Sequence, residues 1–266
     1  MTFVVRPVSV GFDGSAESLA AAAWAGREAV LRGTSLHIVH ALEWRASNLQ
    51  FSPGASAQRE WAESRLDVAR EELAVTRPEL VVEVDQVSDP PVKALVDAAR
   101  ESEFLVLGSR GLGVLQGFLL GSVSLPVIAR ASRPVVVVHG PEEPSGPSGA
   151  GPVVVGLGHD GPYGPLLDFA FAAAAVRGAD LHIVRAGDTG AAAEALPDRS
   201  GWPSVEVHEW LPAGPAAQHL VEAAGEACLL VVGRRGHRPG PAVRIGPVAH
   251  AVLHHARCPV AVVPHG

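Results

Sequence analysis

Residues 108–122 read "GSRGLGVLQGFLLGS" and residues 233–247 read "GRRGHRPGPAVRIGP". Each stretch follows an apolar run, "FLVL" at 104–107 and "CLLVV" at 228–232. Glycine loses more backbone freedom on ordering than any other residue, so five glycines in fifteen residues point to a backbone requirement. The requirement is met twice. Gly108, Gly111 and Gly121 recur with unchanged spacing as Gly233, Gly236 and Gly246.

The self-similarity extends in both directions. "SLHIVHA" (35–41) returns as "DLHIVRA" (180–186), and "KALVDAARESEFLVLGSRG" (93–111) as "QHLVEAAGEACLLVVGRRG" (218–236). "ASRPVVVVHG" (131–140) returns as "ARCPVAVVPHG" (256–266). The second copy is roughly twenty residues shorter, with the deletion between its second and third strands. Residues 141–151, "PEEPSGPSGAG", have linker composition. The expected organisation is therefore a domain over 1–140, a linker over 141–151 and a second, shortened domain over 152–266.

Within the first copy, strand and helix signals alternate. "VSVGF" (8–12) is a short apolar strand, and Ser15 caps a helix that closes at Gly33. "SLHIVHA" is the second strand, residues 56–77 the second helix, and 80–87 the third strand. Asp89-Pro90 opens a third helix. "EFLVLG" (103–108) is the fourth strand, a fourth helix starts at Gly121, and "PVVVV" (134–138) is the fifth strand. Apolar strands between helices imply a parallel sheet covered on both faces. Right-handed crossovers then favour a doubly wound order. The expected fold class is α/β: two tandem doubly wound five-stranded parallel sheets, order 3-2-1-4-5, with helices on both faces.

Composition narrows the function. At 266 residues, 47% hydrophobic and 18% charged, the chain has ample core for two domains. The net charge of −7 argues against nucleic acid and anionic membranes as main partners. No apolar run is long enough to span a bilayer, and the first residues lack the order of a signal peptide. Two cysteines, Cys228 and Cys258, make no disulfide framework and read as small buried hydrophobes. The plain reading is a soluble cytoplasmic protein.

In a 3-2-1-4-5 sheet the winding reverses between strands 1 and 4, and ligands bind outside the carboxyl ends of strands at such a switch point. "GFDGS" (11–15) ends strand 1, and the glycine segment ends strand 4. Gly108 and Gly111 are expected to let the backbone turn and approach a bulky group. Gly121-Ser122-Val123-Ser124 would open the fourth helix, offering N–H groups and hydroxyls to an anion. This is not a Walker loop, since Lys93, the only lysine, lies elsewhere, nor the dinucleotide fingerprint, which belongs after the first strand.

The pattern Gly108-x2-Gly111-x9-Gly121-Ser122, joined to "VGFDGS" and "RPVVVV", resembles the universal stress protein family in a tandem two-domain form. The resemblance implies an ATP-binding stress or regulatory protein with little or slow hydrolysis and no catalytic residues. Magnesium is left open. It implies phosphates held by Gly108, Ser109, Arg110, Gly111, Leu112, Gly113 and Val114, and by Gly121, Ser122, Val123 and Ser124. Gly11 and Asp13 would lie near ribose and adenine, and the backbone of Val39 and His40 near the base. The fifth strands are natural edges for pairing, which implies an intramolecular pseudo-dimer of the two copies, with a homodimer as a further association. The alternative is an interaction module that keeps the fold without nucleotide.

The second copy departs from the pattern. Pro247 replaces Ser122, removing a hydroxyl and an N–H. Gly158 aligns with Asp13 unless Asp160 takes its role, and Arg234, Arg235, Arg238 and Arg244 crowd the loop as compensating charge. Its ATP motif is expected to be degenerate. His250 and His254 stand i, i+4 on the last helix with His255 beside them, but without an acidic or cysteine ligand to complete a metal site there. No metal site is expected.

Overall fold

The computed structural model describes residues 5–41, 53–111, 118–119, 121–139, 151–158, 163–185, 201–235 and 245–265. The strands of the first copy are β1 (Val8–Gly11), β2 (Leu36–Ala41), β3 (Val82–Val87), β4 (Phe104–Gly111), a two-residue β5 (Phe118–Leu119) and β6 (Val135–His139). Its helices are α1 (Ala16–Arg32), α2 (Pro53–Thr76), α3 (Pro91–Glu101) and α4 (Ser124–Arg130). The second copy holds β7 (Val153–Leu157), α5 (Gly164–Arg177), β8 (Leu181–Arg185), β9 (Val207–Trp210), α6 (Ala216–Ala223), β10 (Leu229–Arg235), α7 (Pro247–His255) and β11 (Val260–His265). The linker over 141–151 lies outside the described residues apart from Gly151.

The sheet order is β3-β2-β1-β4-β6-β11-β10-β7-β8-β9, with β5 paired to β4. Each copy thus has the order 3-2-1-4-5 with parallel neighbours, as the alternation of elements predicts. The two sheets are not separate. β6 and β11 pair antiparallel, Val260 opposite Val137 and Val262 opposite Val135, and fuse them into one surface. Both strands are apolar along the paired stretch, Val135–Val137 and Val260–Val262, and would otherwise expose unpaired backbone, so joining them removes two edges at once.

Alternation along the buried strands feeds two cores. Phe104 and Val106 face one side with α1, α2 and α5, while Leu105 and Leu107 face the other with α3, α4, α6 and α7. Ser15 caps α1, its Oγ accepting the Ser18 N–H at 3.2 Å, and Gly33 closes the helix at φ 62°. α1 and α5 meet beside this join. Glu28 is 3% exposed and pairs with Arg32 on its own helix and with Arg177 on α5. Arg32 also lies 5.0 Å over the Phe104 ring. Cys258 is buried, which pushes its thiol up to about 12, and Cys228 is raised for the same reason. Both are the inert thiols the sequence suggests.

Candidate functional site

Val10 lies opposite Val106, so β1 ends at Gly11 beside β4, which runs on past it to Gly111, at the point where the winding reverses. A cleft of about 230 Å³ opens there. Six of the expected residues line it: Gly11, Asp13, Val39, Gly108, Val123 and Ser124. Segments more than a hundred residues apart in the chain therefore converge on one concavity.

Each contribution has a local cause. Asp13 ends the first strand and turns the chain, its Oδ1 accepting from the Ser15 N–H at 3.0 Å and the Ser15 hydroxyl at 2.6 Å. Ser15 in turn caps α1, so Asp13 orients the cap rather than serving as one. Gly14 has φ 80°, which the turn demands and a side chain would resist. A Cβ on Gly11 would lie 2.8 Å from Leu107 Cδ2 and 2.9 Å from Leu95 Cδ2, so these leucines form an apolar wall beneath it.

The structure corrects several expectations. β4 does not turn at Gly108 but runs on to Gly111, because β6 continues to pair with it up to Ser109 opposite His139. What Gly108 admits is the first turn of α1: an added Cβ would lie 2.5 Å from the Glu17 carbonyl oxygen. Ser109 is buried and does not line the cleft. Arg110 and Gly111 pair with Leu119 and Phe118 as backbone, and Leu112, Gly113 and Val114 lie outside the described residues. α4 starts at Ser124 rather than Gly121, because Ser122 and Val123 form a turn before it. Gly121 and Ser122 are not among the lining residues.

His40 is expected at the base through its backbone alone, and its side chain points away from the cleft. Its Nδ1 sits 2.7 Å from the Phe12 carbonyl oxygen, buried between β1 and β2. The Val39 carbonyl already accepts the Phe12 N–H at 2.9 Å, so Val39 gives the cleft chiefly apolar surface. Ala41 lines the cleft in place of His40 because strand neighbours two apart share a face, a signal that alternation in "LHIVHA" carries. Phe12, Ser15, Ser18, Pro91, Leu95 and Leu107 line it too and were not singled out from the sequence. Phe12 and Leu107 adjoin expected residues in the chain, whereas Ser15 and Ser18 come from the start of α1 and Pro91 and Leu95 from α3. Lys93 stays outside, bound on α3 to Asp89 at 2.8 Å and to Asp97.

The description "Universal stress protein family" is that of the family model that matches residues 5–139 and 191–264. A universal stress protein from Mycobacterium tuberculosis (strain ATCC 25618 / H37Rv) is 33% identical over 285 residues, covering 96% of each chain. The chain belongs to the universal stress protein family. A second relative, from Mycolicibacterium smegmatis, is 32% identical over 287 residues, covering 96% of each chain. The crystal structure of a universal stress protein from Archaeoglobus fulgidus DSM 4304 has the same fold, with a TM-score of 0.79 at 20% identity over 99% of this chain and 100% of that one.

In this chain the two copies differ at the positions that correspond to the cleft. Gly156 repeats the role of Gly11, with an added Cβ 2.7 Å from Leu220 Cδ1. Beyond it, Gly158 stands in place of Asp13, and Asp160 lies outside the described residues. α7 begins at Pro247, two residues earlier in the repeat than α4, because proline presets the helical φ at the first position. Arg234 is no ligand for this copy. It is 5% exposed and its Nη2 donates to the Ala131 carbonyl oxygen at 2.6 Å, across the junction between the copies. Arg235 is exposed, while Arg238 and Arg244 lie outside the described residues. No helix among the described residues is long and apolar enough to cross a membrane.

Proposed function

We propose that the first copy binds ATP in the β1–β4 cleft and that the protein is an ATP-dependent stress-response or regulatory component with little or slow hydrolysis. In this reading the base lies against Val39, Ala41 and Leu95, and the ribose beside Gly11 and Asp13. The phosphates run toward Gly108–Val114 and Gly121–Ser124. The observation that carries it is the convergence at one cleft of an apolar wall, a single oriented carboxylate and the Ser15, Ser18 and Ser124 side chains. That combination suits a flat apolar ring with a polar sugar and an anionic tail. Slow turnover fits the same inventory: among the described residues of the lining Asp13 is the one carboxylate, and Ser15 Oγ is engaged by Asp13 and the cap. The donors suit phosphate oxygens directly, and one carboxylate is a sparse ligand set for magnesium.

The second copy, taken as a domain over 152–266, is read as a nucleotide-independent module that keeps the fold. Pro247 at the first position of α7 and Gly158 in place of Asp13 favour that reading.

The test is nucleotide stoichiometry. The purified chain is denatured, the released nucleotide identified by chromatography, and the stripped protein titrated with ATP with and without magnesium. One ATP per chain, lost in Asp13→Ala, is expected. Two per chain would overturn the reading of the second copy, and none at millimolar ATP would transfer the nucleotide-independent reading to the whole protein.

A further inference from the structure

The outer two strands of the second copy begin with the same pattern, Asp180-Leu181-His182 leading into β8 and Glu206-Val207-His208 leading into β9. The strands are parallel with Leu181 opposite Val207 and His182 opposite His208, and the Leu181 N–H donates to the Glu206 carbonyl oxygen at 2.8 Å. Residues two apart on a strand share a face. The register therefore stacks two histidines and two carboxylates on one face at the edge of the sheet.

The side chains have closed on one another. One ligand atom each from Asp180, His182 and His208 lies within 4.8 Å of the other two. The His208 Nε2 is 3.9 Å from Asp180 Oδ2 and 3.5 Å from Glu206 Oε1, and the two rings are 5.1 Å apart at 79°. Tetrahedral zinc with bonds of roughly 2.0–2.1 Å sets its ligand atoms roughly 3.4 Å apart. Asp180, His208 and Glu206 are 53%, 51% and 72% exposed, so rotation of free side chains supplies the remaining contraction.

The first copy is an internal control, because its equivalent positions are Ser35, His37, Val81 and Glu83. There the one histidine is engaged on both sides, Nδ1 with Ser9 Oγ at 3.2 Å and Nε2 with Asp85 Oδ2 at 2.9 Å. In the second copy Val154 stands beside His182 where Ser9 stands beside His37. The hydroxyl is absent there, and His208 and Trp210 stand where Glu83 and Asp85 stand in the first copy. Asp180 and Glu206 place two carboxylates at the start of the strands instead.

We infer that Asp180, His182 and His208 form a site for a divalent transition metal of the zinc class, with Glu206 as the fourth ligand. Two imidazoles select zinc-class ions over calcium or magnesium, and two carboxylates neutralise the charge. The ion clips β9, the outermost strand, to β8, and the site is independent of nucleotide in the first copy.

Zinc chloride is titrated by calorimetry into the chelator-treated full chain, into His182→Ala/His208→Ala, and into His250→Ala/His254→Ala. The last variant is a control, because those rings lie 4.4 Å apart on α7 and could capture zinc on their own. Wild type and the α7 variant are expected to bind one tight equivalent, and the first variant to lose it by roughly a hundredfold or more. Magnesium should give no such binding. Unchanged zinc affinity in the first variant, or loss in the α7 variant alone, would overturn the assignment. Should the first variant fold poorly by circular dichroism, Asp180→Asn at an exposed position carries the same test, with roughly tenfold weaker binding expected and unchanged affinity refuting it.

Discussion

Gly108→Ala and Gly121→Ala separate what the fold asks of this segment from what a ligand asks. A methyl on Gly108 would lie 2.5 Å from the Glu17 carbonyl oxygen, 2.6 Å from the Glu17 carbonyl carbon and 3.0 Å from the Ser18 nitrogen. All three are backbone atoms of the first turn of α1, so no side chain can swing aside. Comfortable carbon contacts lie at about 3.5–4.0 Å, so α1 must retreat by about 1 Å. That helix packs as a unit through Ala21, Trp24 and Ala25. Overpacking of this kind costs about 1–3 kcal/mol. At about 2–4 °C per kcal/mol for a protein near this size, Tm should fall by about 2–12 °C. Gly121 presents the opposite case, with nothing within 4 Å of an added Cβ and no positive φ, so alanine there should leave Tm unchanged. Under the ATP reading both variants weaken nucleotide binding, Gly108→Ala through the displaced cleft wall and Gly121→Ala by holding phosphate away from the backbone. Differential scanning fluorimetry with and without ATP, alongside direct titration, reads both effects. A wild-type Tm for Gly108→Ala would refute the packing argument. Wild-type ATP affinity for Gly121→Ala would refute the placement of phosphate.

Glu28→Ala should be among the most destabilising changes available, because it leaves Arg177 and Arg32 buried without their shared carboxylate. Breaking a buried ion pair from one side costs about 3–5 kcal/mol, readable by urea denaturation, and a loss below about 1 kcal/mol would show that the cluster is solvated. His139, at the end of β6, is held down to about 4, chiefly by burial and then by the nearby His254. Its folded value lies below the unfolded one of 6.5, so the unfolded chain takes up the proton first as pH falls. Stability from this group is full above about pH 6.5 and falls progressively toward pH 4, by about 3 kcal/mol in all. Denaturation midpoints across that range should show a shallower fall in His139→Asn, and parallel curves would disprove the assignment.

The repeat and the strand order were legible because they rest on long apolar runs and on the handedness of crossovers, which need no side-chain detail. The ends of elements were less so. Nothing in "FLVLGSRG" says that β4 continues through its glycines, since that depends on β6 reaching His139 to satisfy the backbone. His40 is expected near the site through its backbone, on the family resemblance; where its side chain goes is decided by alternation and by the Phe12 carbonyl. Arg234 could not be read from its neighbours at all, because its partner, Ala131, lies in the other copy. The histidine–carboxylate quartet is invisible for a related reason. "DLH" and "EVH" become one cluster only when β8 and β9 pair in register.

Comparing the copies shows which parts of the glycine signature serve the fold. Gly11 is closed in by Leu107 of β4 and Leu95 of α3, Gly156 by Leu220 of α6, and Gly108 and Gly233 are both closed in, one by α1 backbone and the other by His265 and Leu166. Packing alone retains these four, whatever the cleft holds. Gly246 stands in open space but is the N-cap of α7, a position glycine fills well. Gly121 has neither reason. It stands in open space, three residues before α4, while Val123 is the N-cap of that helix. Among the described residues no packing contact calls for glycine there, so the reason the ATP reading supplies is a bare backbone for phosphate to approach. In the second copy Gly246 has a use inside the fold as the N-cap of α7, so a substitution at Gly121 tests the ligand's demand in a way that one at Gly246 would not.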